Sequence, residues 1–253
     1  MSSRKPAGTG LTSLANPTRF LSLVKIVSPW LAAITAILIG LGLYLVFFQA
    51  PPDYQQGQTV KIMFIHVPSA WISMFAYALI AIAALGVLIW RHPLADVAGK
   101  AAAPIGATFT FIVLVTGSLW GKPMWGTYWV WDARLTSMLI LLLLYLGLIA
   151  LRQAIEDPGR AARAAAILAL VGAVNLPIIK FSVDWWNTLH QPASVFRMGG
   201  PTIDPSLLTP LFVMAGGLFA LFLLLHLLAM RAEILNRRVH ALQQIAVQRA
   251  AAA

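Results

Sequence analysis

The chain alternates between long apolar runs and shorter polar segments. Six runs approach or exceed the roughly 20 residues that a helix needs to cross a bilayer. They lie near 29–48, 67–90, 101–120, 135–151, 164–180 and 207–230. Helix is favoured within such runs because each backbone N–H and C=O must find its partner inside the segment. The pattern therefore predicts an all-α integral membrane protein with a bundle of six transmembrane helices.

Composition supports this class. Of 253 residues, 60% are hydrophobic and only 10% are charged, whereas a soluble domain is about one quarter charged. The chain has no cysteine, and this excludes disulfides, thiolate metal sites and covalent haem attachment through Cys-x-x-Cys-His. The net charge of +10 is spread over tails and loops rather than clustered. We therefore predict membrane lipid, and no nucleic acid, as a partner of these charges.

The basic residues predict the orientation of the bundle. Thirteen Lys and Arg fall in the two tails and the even-numbered loops, and five fall in the odd-numbered loops. The positive-inside rule puts the richer side in the cytoplasm. We expect cytoplasmic tails at 1–28 and 231–253 on a membrane domain at 29–230, with no cleavable signal peptide. The outward loops are then 49–66, 121–134 and 181–206.

The outward loop between the third and fourth helices is rich in tryptophan. Four of the chain's nine tryptophans lie in or beside it: Trp120, Trp125, Trp129 and Trp131. If the segment is helical, Trp125, Trp129 and Asp132 share one face. One interpretation is an ordinary interfacial belt, since tryptophan is enriched at membrane surfaces generally. The other is a flat aromatic surface that binds a large planar apolar ligand.

Counting spans places two of the five histidines on the outer side. His66 opens the second span and His190 lies in the fifth loop, whereas His92 and His240 are on the cytoplasmic side. Two imidazoles can hold a haem iron from opposite faces, and we advance this hypothesis for His66 and His190. The alternative is that each is an interfacial histidine in a polar loop. For His226, within the sixth span, helix packing is the favoured interpretation.

Charged residues on the outer side extend the haem hypothesis. Lys61, Lys122, Arg134 and Arg197 are the outer cations available to pair with the two haem propionates. Arg134 is equally compatible with a lipid headgroup contact. Asp132 precedes the fourth apolar run, where its side chain is expected to accept a backbone N–H and cap the helix.

The segment Trp-Gly-Thr-Tyr-Trp-Val-Trp-Asp-Ala-Arg-Leu-Thr at 125–136 resembles the tryptophan-rich WWD signature of haem-handling membrane proteins in cytochrome c biogenesis. Within that superfamily, the short six-span chain is similar to the haem exporter protein C family, over about residues 20–235. The similarity includes Phe-Ile-His-Val-Pro around His66 and Asp-Trp-Trp-Asn-Thr-Leu-His-Gln-Pro around His190.

This resemblance implies a function in the bacterial cytoplasmic (inner) membrane. The protein would hold haem b at the periplasmic face and present it to a membrane-anchored periplasmic haem chaperone of the CcmE type. It would work beside the ATPase and membrane subunits of an ABC transporter (CcmA and CcmB types) and a small single-span subunit (CcmD type), without a turnover reaction of its own. His66 and His190 would be the axial ligands of the iron. The platform would consist of Trp120, Trp125, Gly126, Trp129, Trp131 and Asp132.

Two other functions are compatible with the sequence. A transmembrane transporter of haem or a small molecule would show polar or broken helices at mid-membrane, and the candidate breaks are Pro104 and Pro177 with Asn175. A structural subunit that recruits partners would need the tryptophans for assembly and not for haem.

Overall fold

The computed structural model describes residues 16–192 and 194–252. Over this part of the chain the fold is all-α, and six helical segments are long and apolar enough to cross a membrane. This confirms the predicted six-span bundle. The helices are α1 (Pro17–Tyr44), α2 (Met63–Trp90), α3 (Pro93–Trp125), α4 (Ala133–Ala154), α5 (Pro158–Gly172), α6 (Asn175–Trp185) and α7 (Pro205–Ala251). A π-helical turn at Leu45–Gln49 ends α1, and a 3-10 turn at Gln58–Ile62 precedes α2.

Several helices extend beyond the apolar runs because local signals, rather than hydropathy, set their ends. Proline is the first residue of α1, α3, α5 and α7. At this position proline costs no hydrogen bond, because the first N–H of a helix has no acceptor within the helix. The preceding Asn16, Asp157 and Asp204 each accept a backbone N–H. Helix α1 thus begins well inside the predicted tail at 1–28, and residues 1–15 of that tail lie outside the described residues. Helix α7 continues to Ala251, so the predicted tail at 231–253 is largely helical.

The fifth span consists of two helices. Pro177 has no N–H to offer the carbonyl of Ala173, which instead accepts from Leu176 N at 3.1 Å. The buried Asn175 side chain donates to a backbone carbonyl of α4 at 2.9 Å. The break predicted around Asn175 and Pro177 is therefore present, whereas Pro104 lies inside the continuous helix α3.

Polar contacts distinguish the two ends of the bundle. At one end, Asp96 at the start of α3 pairs with Arg152 at the end of α4 and with Arg237 of α7, at 2.7 and 2.6 Å. Arg238 donates there to Thr18 at the start of α1, at 2.8 Å. The residues at this end belong to the tails and even-numbered loops, which are the basic side in the sequence analysis. The tryptophan-rich segment 120–131 and the outer histidines lie at the opposite end, in and beside the non-helical segments 50–57, 126–132, 186–192 and 194–204.

Candidate functional site

The end of α3 forms the centre of the candidate site. Helix α3 runs to Trp125 and is ended by Gly126, whose φ of 77° is in the left-handed region that favours glycine. Residues 126–132 are not helical. The expectation that Trp125 and Trp129 share a helical face is therefore wrong, since Trp125 closes the helix and Trp129 lies in the connection. Gly126 changes the direction of the chain at the end of α3.

His66 lies in the first turn of α2 and packs against α3. Its Nδ1 is 3.0 Å from the hydroxyl of Thr116, and its ring is edge-on to Trp120 at a centroid distance of 5.6 Å. The Trp120 indole N–H in turn donates to Gln56 at 2.9 Å. A Cβ on Gly117 would lie 3.1 Å from Cε1 of His66, so a glycine at this position gives the imidazole its room.

His190 lies in the 186–204 segment and also reaches the end of α3. Its ring is edge-on to Trp125 at 4.7 Å, and its Nδ1 is 3.0 Å from Oδ2 of Asp132. The hydroxyl of Thr188 donates to the same carboxylate oxygen. The other oxygen of Asp132 accepts the Leu135 N–H at 2.8 Å, which confirms the predicted N-cap of α4. One carboxylate thus starts a helix and orients a histidine.

The protonation of this pair follows from its surroundings. Burial acts to raise the pKa of Asp132, but hydrogen bonds from Thr188, the Leu135 amide and His190 outweigh it and hold that pKa below its usual value. Burial lowers the pKa of His190, and the nearby Asp132 opposes this only in part. At neutral pH the arrangement is therefore a carboxylate beside a neutral imidazole whose proton is on Nδ1.

Trp129 and Trp131 lie beside this centre and differ in exposure. Their rings meet edge-on at 5.4 Å, and Trp131 is 77% exposed at the outer end of the bundle. The indole N–H of Trp129 is buried and has no hydrogen-bond partner within the described residues. Trp131 is thus accessible to a ligand or partner from outside, whereas Trp129 is less exposed and packs against the Trp131 ring.

The four predicted propionate cations have different surroundings. Lys61 donates to the Phe47 carbonyl in the π-helical turn, at 3.4 Å. Lys122 donates to the Gly126 carbonyl at 3.0 Å and lies 5.2 Å from the ring of Tyr128. Arg197 is exposed in the 186–204 segment.

Arg134 joins α4 to α6. Its Nε donates to the Ser182 hydroxyl at 3.2 Å, and one terminal nitrogen donates to the Ile179 and Lys180 carbonyls at 3.3 and 3.4 Å. These bonds hold the end of α6 next to the start of α4, and α6 leads into the segment that carries His190. Arg134 is therefore engaged within the protein, and Lys122 and Arg197 have the more accessible charges of the four cations.

Sequence reasoning missed the residues that orient the histidines. Thr116, Thr188 and Gln56 are polar residues of ordinary type, and their partners are distant in sequence or lie across a loop. One signal was available for Thr188, since it lies two residues from His190 within the motif that carries the resemblance. No such signal existed for Thr116 or Gln56, because only the packing of α3 against α2 and the first outer segment brings them into contact.

His226 lies apart from this site and packs within the bundle. It is buried in α7, and its ring stacks on Phe222 at 5.8 Å with an interplanar angle of 4°. This agrees with the helix-packing interpretation. The other two histidines, His92 and His240, are at the basic end, where His92 caps α3 by accepting the Ala95 N–H.

The paired histidines share one property that sets the chemistry of the site. Each has its Nδ1 engaged, and no hydrogen bond within residues 16–192 and 194–252 reaches either Nε2. Each ring meets a tryptophan of α3, and Trp120 and Trp125 are about 7.5 Å apart along the helix axis. Histidines that bind a metal are commonly oriented through their second nitrogen, and both imidazoles have that arrangement here. The molecule is thus a polytopic helical membrane protein in which two imidazoles each pack against a tryptophan near one end of α3.

Comparison with known proteins identifies the family. Residues 10–245 match the family model described as heme exporter protein C. The chain is 69% identical over 241 residues to the heme exporter protein C of Bradyrhizobium diazoefficiens, covering 95% of this chain and 91% of the relative. It is 50% identical over 225 residues to that of Escherichia coli K12, covering 89% and 91%.

A eukaryotic relative extends the comparison. The chain is 46% identical over 199 residues to a putative cytochrome c biosynthesis ccmC-like mitochondrial protein of Marchantia polymorpha, covering 79% of this chain and 84% of the relative. The chain belongs to the heme exporter protein C family of the cytochrome c maturation system. It is accordingly a multi-pass protein of the inner membrane with a haem-related function.

Proposed function

We propose that this protein binds haem b between His66 and His190 at the periplasmic face of the cytoplasmic membrane. It presents the haem to a membrane-anchored periplasmic chaperone, which attaches it covalently during c-type cytochrome biogenesis. One observation carries the proposal. Two histidines from distant parts of the chain converge on the end of α3, and the Nε2 of each has no hydrogen-bond partner among the described residues.

The surrounding residues suit a noncovalent haem site. Trp120 and Trp125 hold the two imidazoles edge-on, so ring orientation is fixed by packing as well as by hydrogen bonds. When bound, the iron would take its two remaining ligands from the histidines. Lys122 and Arg197 are exposed cations at this end and would pair with the propionates. Because the chain has no cysteine, thioether attachment to this protein is not available, and the haem stays transferable.

The exposed aromatic end supports a presenting role. Trp131 is 77% exposed, and Trp185 and Trp186 at the end of α6 are about half exposed. Aromatic side chains of this kind are frequent in protein contacts. The chaperone would dock over this end, and bond formation would take place on the chaperone with this protein as the positioning surface. The ABC transporter ATPase and membrane subunits and the small single-span subunit belong to the proposal as further partners.

The transporter alternative depends on the broken fifth span. Broken helices line substrate sites in many transporters, but here the break is closed within the bundle. Asn175 is buried and donates to the Ser137 carbonyl, and the Ala173 carbonyl accepts from Leu176. The polar groups at the break thus satisfy one another, and this favours a packing role for the break.

Optical spectra of the purified protein test the proposal. The wild type is expected to carry haem with a low-spin spectrum. His66→Ala and His190→Ala should each lose that spectrum, because each removes one axial ligand. His240→Ala is the matched control, since His240 is exposed at the opposite end of the bundle. If both site variants keep the wild-type spectrum and haem content, the axial assignment is wrong.

A further inference from the structure

The two histidines have hydrogen-bond partners of different strength. The Thr116 hydroxyl is 2.6 Å from the Ile112 carbonyl, to which it donates. It therefore accepts the proton on Nδ1 of His66, which is 3.0 Å away. The oxygens that face the His66 ring, the Thr116 hydroxyl and the Val113 carbonyl, are both neutral.

The partner of His190 is a carboxylate. Asp132 accepts from His190 Nδ1 at 3.0 Å, from the Leu135 N–H at 2.8 Å and from the Thr188 hydroxyl. The Asp132 side chain is only 8% exposed, so little water weakens these bonds. Three donors, one of them at the start of α4, fix the position of the carboxylate.

This difference changes the two imidazoles as ligands. A carboxylate that accepts from Nδ1–H increases electron density on the ring and strengthens the bond that Nε2 makes to a metal. Hydrogen bonds to charged groups are about twice as strong as those between neutral groups. His190 is therefore the stronger donor, and it also packs more closely, at 4.7 Å from Trp125 against 5.6 Å between His66 and Trp120.

Resting on the proposed function, we propose that His190 is the retained ligand of the haem iron and His66 the exchangeable one. Transfer then begins on the His66 side of the haem. The bond from Nε2 of His66 to iron would break with its electron pair returning to Nε2, and a lone-pair donor of the incoming chaperone would supply a new pair to the vacated position. The exchange changes neither the oxidation state nor the proton on Nδ1. Asp132 and Thr188 are positioning residues in this scheme, since they act through His190.

Carbon monoxide added to the reduced, haem-loaded full-length protein tests the asymmetry. It replaces the weaker ligand, and the vibrational spectrum of the adduct reports the ligand that remains opposite. The difference in hydrogen-bond strength corresponds to a preference of roughly tenfold, so about nine-tenths of the adduct should retain His190. The adduct spectra of wild type and His66→Ala should therefore coincide, although His66→Ala holds less haem. The adduct of His190→Ala should differ from both.

The possible results separate the two proposals. A wild-type protein without low-spin haem overturns the proposed function, and the asymmetry with it. The asymmetry alone is overturned if the wild type has low-spin haem but the spectrum of its carbon monoxide adduct matches that of His190→Ala and differs from that of His66→Ala. Failure of carbon monoxide to displace either ligand also overturns it. Thr116→Ser keeps the neutral hydroxyl and should leave the wild-type adduct spectrum unchanged. If Thr116 acted only through its shape, the loss of its methyl group in this variant would change the spectrum.

Discussion

Replacing Asp132 by asparagine isolates the charge of the carboxylate from its shape. Asparagine caps helices about as well as aspartate, so its oxygen can still accept the Leu135 N–H that Asp132 accepts at 2.8 Å. Its amide nitrogen then faces Nδ1 of His190. Because that nitrogen donates, His190 must carry its proton on Nε2, where the lone pair for iron would otherwise be. The variant therefore opposes haem binding without removing a ligand.

The size of the effect follows from the alternatives open to this side chain. Turning the amide around restores the imidazole proton to Nδ1 but sacrifices the helix cap, at about 1 kcal/mol. The hydrogen bond to His190 is then neutral rather than charged, a loss of about 1 kcal/mol more. The sum of about 2 kcal/mol corresponds to roughly a 30-fold weaker haem affinity. Metal sites lose about 10- to 100-fold when such an outer partner is removed.

Titration of the haem-free protein in lipid nanodiscs, followed by absorbance, measures this affinity. We expect the dissociation constant of Asp132→Asn to rise roughly 30-fold, with a thermal unfolding temperature close to that of the wild type. Asp184→Asn makes the same charge change on an exposed carboxylate near the end of α6 and should bind haem normally. If Asp132→Asn binds as tightly as Asp184→Asn, the carboxylate does not orient His190 for iron.

Three further perturbations test other parts of the account. Gly117→Ala places a Cβ 3.1 Å from the His66 ring and should displace the imidazole, lowering haem content while the helical circular dichroism is unchanged. Arg134→Lys cannot reproduce the forked bonds between α4 and α6, so the free energy of unfolding in detergent should fall by about 1–2 kcal/mol. Because the chain has no cysteine, an impermeant thiol reagent on whole spheroplasts should label Tyr54→Cys, and should label Leu242→Cys only after permeabilisation.

The controls for these variants lie on the same molecule. Gly40→Ala adds a methyl group that meets nothing within 4 Å, and haem loss there equal to that of Gly117→Ala would contradict the steric argument. Arg197→Lys alters an exposed arginine, and an equal loss of stability would mean that the bonds of Arg134 are not responsible. Labelling of Leu242→Cys before permeabilisation would reverse the predicted orientation.

Hydropathy predicted the spans and their order well because the bilayer imposes them. About 20 apolar residues must occur wherever a helix crosses, and the helices at 63–90 and 133–154 contain the predicted runs. Helix ends were predicted less well, since no requirement of the bilayer ends a helix at the membrane surface. A helix can continue into water when capping residues and prolines allow it, as at Pro17, or when nothing interrupts it, as in the extension of α7 to Ala251.

Some residues of the candidate site could likewise be predicted from sequence, and others could not. His66 and His190 could be selected from sequence because span parity assigns each histidine a side, and Asp132 could be predicted as a cap from its place before an apolar run. The hydrogen-bond partners of the two imidazoles could not be predicted from sequence. Thr116 and Thr188 differ from other threonines of the chain only in the residues that they contact. The helical face expected for Trp125 and Trp129 failed because Gly126, with its positive φ, turns the chain between them.

Electron paramagnetic resonance of the oxidised haem-loaded protein, with histidine labelled by nitrogen-15, tests the central claim most directly. The account predicts a low-spin ferric signal with magnetic coupling to two histidine nitrogens, of which one is lost in His66→Ala and the other in His190→Ala. Coupling to one histidine or to none in the wild type would contradict the proposal that these two residues hold the haem.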